Sequence, residues 1–267
     1  MSSGYVHGYE PREAQRLSDQ ANALAELLHH DSHYPPGTSL LEVGCGVGAQ
    51  TVIVAARNPT MSIISVDISS ESIQLAASRC RSAGITNVIF EVADLFDLPY
   101  EDESFDHLLV CFVLEHLAEP DRALRALLRV LKRGGTITVI EGDHGSAFFY
   151  PPSQAAQAAI ACQVSLQAAA GGDANVGRRL YPLLCSAGVV EVQVSPRYVY
   201  VDGSRPDLAN GFTRNTFGAM IQGVRQNALD DGIIDADTFD RGIRDLERTA
   251  ELDGVFNYAF FKALGRR

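Results

Sequence analysis

The segment Leu40-Leu41-Glu42-Val43-Gly44-Cys45-Gly46-Val47-Gly48 constrains the fold of this chain more than any other. A short apolar run ends in three glycines at alternate positions, and an amphipathic stretch opens immediately after them. Glycine lacks a Cβ, so it lets a backbone turn sharply and approach a ligand, and the start of a helix presents unpaired N–H groups. In an open α/β sheet such a loop sits beside the crevice at the carboxyl ends of the strands. Asp67 follows nineteen residues after Gly48, at the end of the next predicted strand. A carboxylate placed there can accept hydrogen bonds from both hydroxyls of a ribose.

The pattern around this loop is repetitive. Strands are predicted over Leu40–Val43, Ser62–Asp67, Val88–Val92, Phe105–Cys111 and Thr136–Glu141. Between them lie helices over Ala49–Arg57, Glu71–Ala83 and Pro120–Leu131, the last with proline in its first turn. Strands separated by helices or crossovers make βαβ units, hence a mostly parallel, doubly wound sheet. A leading helix is expected over Pro11–His30, with Leu17, Ala21, Leu24, Ala25, Leu27 and Leu28 on one stripe. After Glu141 the rhythm loosens. Phe148–Pro152 is predicted as an aromatic turn, Gln154–Ala170 and Leu180–Ala187 as helices, and Val189–Val194 as a strand extending through Tyr198–Val201. Asp207–Leu229 and Thr238–Leu252 are expected to be helical and Val255–Leu264 a final strand. With no repeat or low-complexity linker, the expected organisation is one domain over 1–267. Its parts are an N-terminal extension (1–37), a core (38–145), cap helices (146–188 and 203–253) and a last strand (254–267).

Composition removes several function classes. A net charge of −11, from 22 Lys+Arg against 33 Asp+Glu, disfavours a nucleic-acid-binding face. No apolar run reaches the length of about 18 residues needed to span a membrane, and the first residues carry no secretory signal. Cys45, Cys80, Cys111, Cys162 and Cys185 are scattered, odd in number and without a C-x-x-C pair. That spacing predicts neither disulfides nor a metal site, and a cytoplasmic location. His29, His30 and His33 lie near a helix end and complement its dipole.

The glycines run G-x-G-x-G, not the G-x-G-x-x-G of dinucleotide folds, and Glu42 stands two residues before the first. A carboxylate there opposes a pyrophosphate and suits a cationic ligand. Further segments follow in order: Val66-Asp67, Ala93-Asp94-Leu95, Leu98-Pro99 and Ser104-Phe105-Asp106, Val113-Leu114-Glu115-His116-Leu117, and Leu131-Lys132-Arg133-Gly134-Gly135. Together they resemble the class I S-adenosylmethionine (SAM)-dependent methyltransferases over about residues 38–141, and most of all the UbiE-like small-molecule subgroup. The resemblance implies a Rossmann-like sheet of seven strands, the last antiparallel, with helical cap insertions. It also implies SAM as cofactor, with Gly44, Gly46 and Gly48 along the methionine and ribose and Glu42 near the amino-acid end. Asp67 would hold the ribose hydroxyls, and Ile68 would pack on the adenine. Asp94 would accept from the adenine amino group, and Leu95 would offer its N–H to the ring. Cys111 and Phe112 would lie beside the methionine tail, and His116 by the cofactor. Apart from the resemblance, an N-terminal extension carrying Tyr9 over the cofactor would exclude water and favour a sulfonium through cation–π contact.

Methyl transfer needs positioned reactants, a dry site and, for a protonated nucleophile, a base. The candidates are His116, after the fourth strand, and Asp143 and His144 in the turn expected after the fifth. The acceptor is expected to be a small apolar or aromatic metabolite, and a homo-oligomer is compatible with the sequence. Two rivals stand beside this reading: a SAM-binding sensor or subunit without activity, and an NAD(P)-linked oxidoreductase.

Overall fold

The computed structural model describes residues 20, 21 and 23–267. The described part of the leading helix, α1, covers 20, 21 and 23–29, and His30 is in a turn; the earlier part of the predicted helix, and Tyr9, lie outside the described residues. The chain separates into two compact units. One holds Ala25–Glu141, Val176–Arg197 and Phe261–Arg267; the other holds Gly142–Asn175 and Tyr198–Phe260, together with the described end of Met1–Leu24.

The first of these units, the sheet unit, begins with β1 (Ser39–Val43), α2 (Ala49–Arg57), β2 (Ser62–Asp67), α3 (Ser70–Ser82) and β3 (Val88–Val92). β4 (Phe105–Cys111), α4 (Pro120–Val130) and the first part of β5 (Leu131–Tyr150) follow, with α6 (Leu180–Ala187), the first part of β6 (Val190–Asp202) and the last part of β7 (Val255–Arg266) later in the chain. The sheet has seven strands in the order β3-β2-β1-β4-β5-β7-β6. The pairs β1–β2, β1–β4, β2–β3 and β4–β5 are parallel. Gly134 donates to the Arg267 carbonyl and Arg267 to that of Gly135, so the end of β7 meets the start of β5 and the last strands run antiparallel. Chain order reverses between β1 and β4, which is where an open α/β sheet forms its ligand crevice.

Leu40, Leu41 and Val43 are all buried, as a central parallel strand covered on both faces requires. Leu108, Leu109 and Val110 of β4, and Ile137, Val139 and Ile140 of β5, continue that core. The α4 helix adds Leu124 and Leu127 to it. Asp106 acts as a clasp at the opposite strand ends: its Oδ2 accepts from the Ser39 N–H (2.9 Å) and hydroxyl (2.8 Å), and its Oδ1 from Lys132 Nζ (2.8 Å). The Lys132 ammonium and the Ser39 amide hold its carboxyl down at about 2.

In the second unit, the cap unit, β5 runs on through Tyr150, and α5 (Gln154–Ala169) follows it in the chain. Two expectations are corrected here. Glu141–Gly145 and Phe148–Tyr150 are not turns but part of β5, and Asp143 and His144 are buried within it. The glycines and polar residues read as loop-forming, but strand pairing and burial override weak local preference. The helix expected over Asp207–Leu229 is divided into Pro206–Leu208, a π-helical run Ala209–Gly218, Ala219–Gly223 and Arg225–Asp230. Ala236–Arg248 follows, capped by Asp235, whose carboxylate accepts from the Thr238 N–H at 2.8 Å.

Candidate active site

The glycine loop closes β1 as expected and is held from behind by β2. Gly44 and Cys45 both donate to the Val66 carbonyl, at 2.8 and 3.0 Å. Gly44, Gly46 and Gly48 take φ of 68°, 51° and 74°, the left-handed region that only glycine enters without strain. A Cβ on Gly48 would lie 2.8 Å from that of Ala76, whereas one on Gly46 would meet nothing within 4 Å. Gly48 is thus needed for helix packing, and Gly46 leaves an open cradle.

Asp67 lies against that cradle. Its Oδ2 accepts from the Gly46 N–H (2.8 Å) and its Oδ1 from the Ser69 N–H (2.9 Å). Each oxygen keeps a lone pair after these bonds, which is the capacity a vicinal diol uses. Ile68, beside it, is 67% exposed, an apolar side chain at the surface. The Ala93 N–H donates to the Asp67 carbonyl (3.1 Å), drawing the next turn alongside. In that turn Asp94 is exposed and accepts from the Phe96 N–H (2.8 Å), and Leu95 is half-buried.

Glu42 is buried behind the loop, where its Oε2 accepts from Thr51 Oγ1 and Ser65 Oγ, both at 2.7 Å. Burial pushes its carboxyl up, and the two hydroxyls only partly offset that. Cys111 ends β4 and is buried, which pushes its thiol well up and leaves it an inert wall, not a nucleophile. Phe112 has φ of 59°, a costly conformation for a side chain that branches beyond glycine. Its neighbours hold it there: Phe112 donates to the Ile140 carbonyl (2.9 Å), and Val113 and Leu114 donate to Glu141 Oε1 (3.0 and 2.7 Å). Val113 in turn packs on Gly44, where a Cβ would come within 2.5 Å of its Cγ2. His116 closes the short 3-10 helix Leu114–His116, with Nε2 3.6 Å from Glu115 Oε1.

The sheet unit therefore brings Glu42, Gly44, Gly46, Gly48, Asp67, Ile68, Asp94, Leu95, Cys111, Phe112 and His116 to the carboxyl ends of β1–β4. These residues fit a nucleoside with a cationic tail: an open glycine cradle, a diol acceptor, an exposed apolar platform and buried carboxyl groups behind. Asp143 and His144 belong to the cap unit. There the His144 N–H donates to the Ala174 carbonyl (3.0 Å), and its Nδ1 meets the Tyr258 hydroxyl at 2.8 Å. Phe217, tilted, and Tyr258, edge-on, flank the imidazole, with centroids 6.3 and 5.8 Å away. Sequence reasoning missed Tyr258 and the Glu141 bonds. A tyrosine within the apolar run of β7 was the available sign, because a buried hydroxyl needs a partner. Among the described residues no cluster of metal-ligating side chains exists, and no helix is long and apolar enough to cross a membrane.

The chain resembles known proteins in sequence and in fold. The chain is 32% identical over 227 residues to the 27-O-demethylrifamycin SV methyltransferase of Amycolatopsis mediterranei, covering 84% of this chain and 76% of that protein. It is 31% identical over 110 residues to the ubiquinone/menaquinone biosynthesis C-methyltransferase UbiE of Geotalea daltonii, 40% of this chain and 47% of that one. A Haemonchus contortus phosphoethanolamine N-methyltransferase, solved with phosphomonomethylethanolamine and S-adenosylhomocysteine, superposes with a TM-score of 0.57 at 16% identity. That match covers 92% of this chain and 52% of the other and shows the shared fold. Of three further curated relatives the chain spans 59%, 52% and 44% of their length, about half. The Methyltransferase domain family matches residues 35–188, more than half of the sequence, and to that family the chain belongs.

Proposed function

We propose that this chain binds SAM through the sheet unit and transfers its methyl group to a small apolar or aromatic molecule. One observation carries the reading: Gly46 is left-handed, with open space where a Cβ would stand, directly beside the Asp67 carboxylate, and its N–H donates to Oδ2 at 2.8 Å. The related rifamycin and quinone enzymes act, by their names, on small molecules, which supports the acceptor class. The glycine spacing opposes a dinucleotide, and a carboxyl group behind the loop disfavours a pyrophosphate there.

When bound, the cofactor supplies an electrophilic methyl group on a sulfonium. The protein's own residues divide the remaining work. Asp67 accepts from the ribose hydroxyls, and Ile68 packs on the adenine. Asp94 and the Leu95 N–H read the adenine edge, and Glu42 lies toward the amino-acid end. The Cys111 and Phe112 end of β4 walls off water. His144 is the proposed base for an acceptor that carries a proton: with its own hydrogen on Nδ1, donated to the Tyr258 hydroxyl, the lone pair on Nε2 takes the acceptor's proton and leaves an imidazolium. Asp143 and His116 are the alternative bases.

Calorimetry of the chain with SAM and with NADH, followed by transfer of labelled methyl to a metabolite extract, tests the reading. Binding of SAM with labelled product supports it. NADH binding would overturn it, and SAM binding without transfer to any extract would favour a sensor. Replacing His144 should depress turnover and leave SAM affinity intact, whereas equal loss of both assigns His144 a structural role.

A further inference from the structure

Val113 stands at the cap position of the 3-10 helix Leu114–His116, and its side chain supplies no hydrogen bond there. The acceptor comes instead from Glu141, 28 residues further on, where the sheet-unit part of β5 ends. A single carboxyl oxygen, Oε1, takes the N–H groups of both Val113 (3.0 Å) and Leu114 (2.7 Å). Glu141 is 0% exposed and Leu114 1%, so water cannot replace the acceptor. Buried donors left without an acceptor cost more than an ordinary hydrogen bond contributes. This one carboxyl group therefore directs the chain after β4.

The path it imposes is strained. Phe112, with φ of 59°, is pinned on one side by its own bond to the Ile140 carbonyl and on the other by the Glu141 bonds. Val113 is thereby pressed onto the glycine loop: a Cβ on Gly44 would lie 2.5 and 3.3 Å from its two methyl carbons. A run of contacts thus leads from β5 through Val113 to Gly44. The residues assigned to the nucleoside are held differently. Asp67 is fixed by the Gly46 and Ser69 amides, and Asp94 by the Phe96 amide. The turn bearing Asp94 is tied to β2 by the bond from Ala93 to the Asp67 carbonyl. None of these bonds involves residues 112–141.

We propose that Glu141 is the positioning residue for the tail half of the cofactor site: acting through Val113 and Gly44, it sets the wall that meets the amino-acid end of SAM and leaves the adenosine half untouched. The inference rests on the cofactor reading above and adds a division of the site into two separately held halves. Burial first, and the Glu115 charge second, push the Glu141 carboxyl well up, so a neutral glutamine is a close substitute for it. Its Oε2 has no hydrogen-bond partner among the described residues, so an amide nitrogen in that place displaces no bond.

Calorimetry of the full chain with S-adenosylhomocysteine and with 5′-methylthioadenosine, which lacks the amino-acid tail, separates the two halves. Glu141→Ala should weaken S-adenosylhomocysteine about tenfold and change methylthioadenosine by less than about twofold. Glu141→Gln, which keeps an oxygen for both amides, should bring S-adenosylhomocysteine back to within about twofold of the unaltered chain. Val113→Ala leaves every amide in place and trims only the contact with Gly44. It too should weaken S-adenosylhomocysteine alone, and it carries the test if Glu141→Ala does not fold. Equal effects on both ligands in either alanine variant, or no rescue by glutamine, would overturn the proposal and leave cofactor binding standing. If the unaltered chain binds neither ligand, the cofactor reading itself fails.

Discussion

Asp67 illustrates how much a single carboxylate organises. It fixes Gly46 and Ser69 through their amides while offering its remaining lone pairs outward. Asp67→Ala should weaken SAM binding more than tenfold, about 1.4 kcal/mol or more, measured by calorimetry; unchanged affinity would show the ribose contact to be misplaced. His29 shows a different logic. Its Nε2 lies 2.9 Å from Gln50 Oε1 and its Nδ1 3.0 Å from Ser32 Oγ, the hydroxyl that also accepts from Lys262. Burial pushes its pKa from 6.5 down to about 4, with smaller contributions from the Lys262 and Arg57 charges and an opposing bond to Gln50. The unfolded chain therefore binds more protons between those values. The stability contributed by neutral His29 is complete above pH 6.5 and is lost as pH falls toward 4, about 3 kcal/mol in all. Urea unfolding across that range should show the slope, and His29→Gln should flatten it. The Asp31 and Lys262 pair behaves unevenly. Lys262 and Arg197 bring Asp31 to about 2 although its own burial acts the other way, while burial of the Lys262 ammonium outweighs the attraction and lowers it too.

At the scale of elements, β5 decides where the candidate base goes. Its continuation through Tyr150 turns Asp143 and His144 from residues of a loop into residues of a strand. Gly142 is required by its neighbour: a Cβ there would run into the Tyr258 hydroxyl. Gly142→Ala should displace Tyr258 from His144 and reduce turnover at least as much as Tyr258→Phe, with SAM affinity retained. Loss of SAM affinity would instead indicate general damage to the strand. The glycine loop, the bounds of the first four strands and most helix bounds were legible because periodicity and glycine placement are local signals. α2 and β4 match the expected bounds to the residue. The π-helical register of Ala209–Gly218 was not legible, because an i→i+5 pattern has no distinct hydrophobic period in so short a stretch. Nor was the strand character of 141–150, which depends on pairing with a distant segment.

For the whole molecule, ligand linkage gives a direct check. SAM at a hundredfold excess over its Kd should raise the unfolding free energy by about 2.7 kcal/mol, and NADH at the same concentration should not. A thermal or denaturant melt with each ligand measures this, and stabilisation by NADH alone would reverse the functional reading. The sequence alone determined the parallel α/β core, the glycine loop and the spacing of Asp67 and Asp94, because each is written in contiguous residues and in the alternation of strand and helix. Tertiary structure alone decided that Glu141 reaches back to the amides of Val113 and Leu114, that Val113 seats on Gly44, and that Tyr258 meets His144. Those partners are 27 or more positions apart in the chain, so only the order in which strands lie side by side could bring them together.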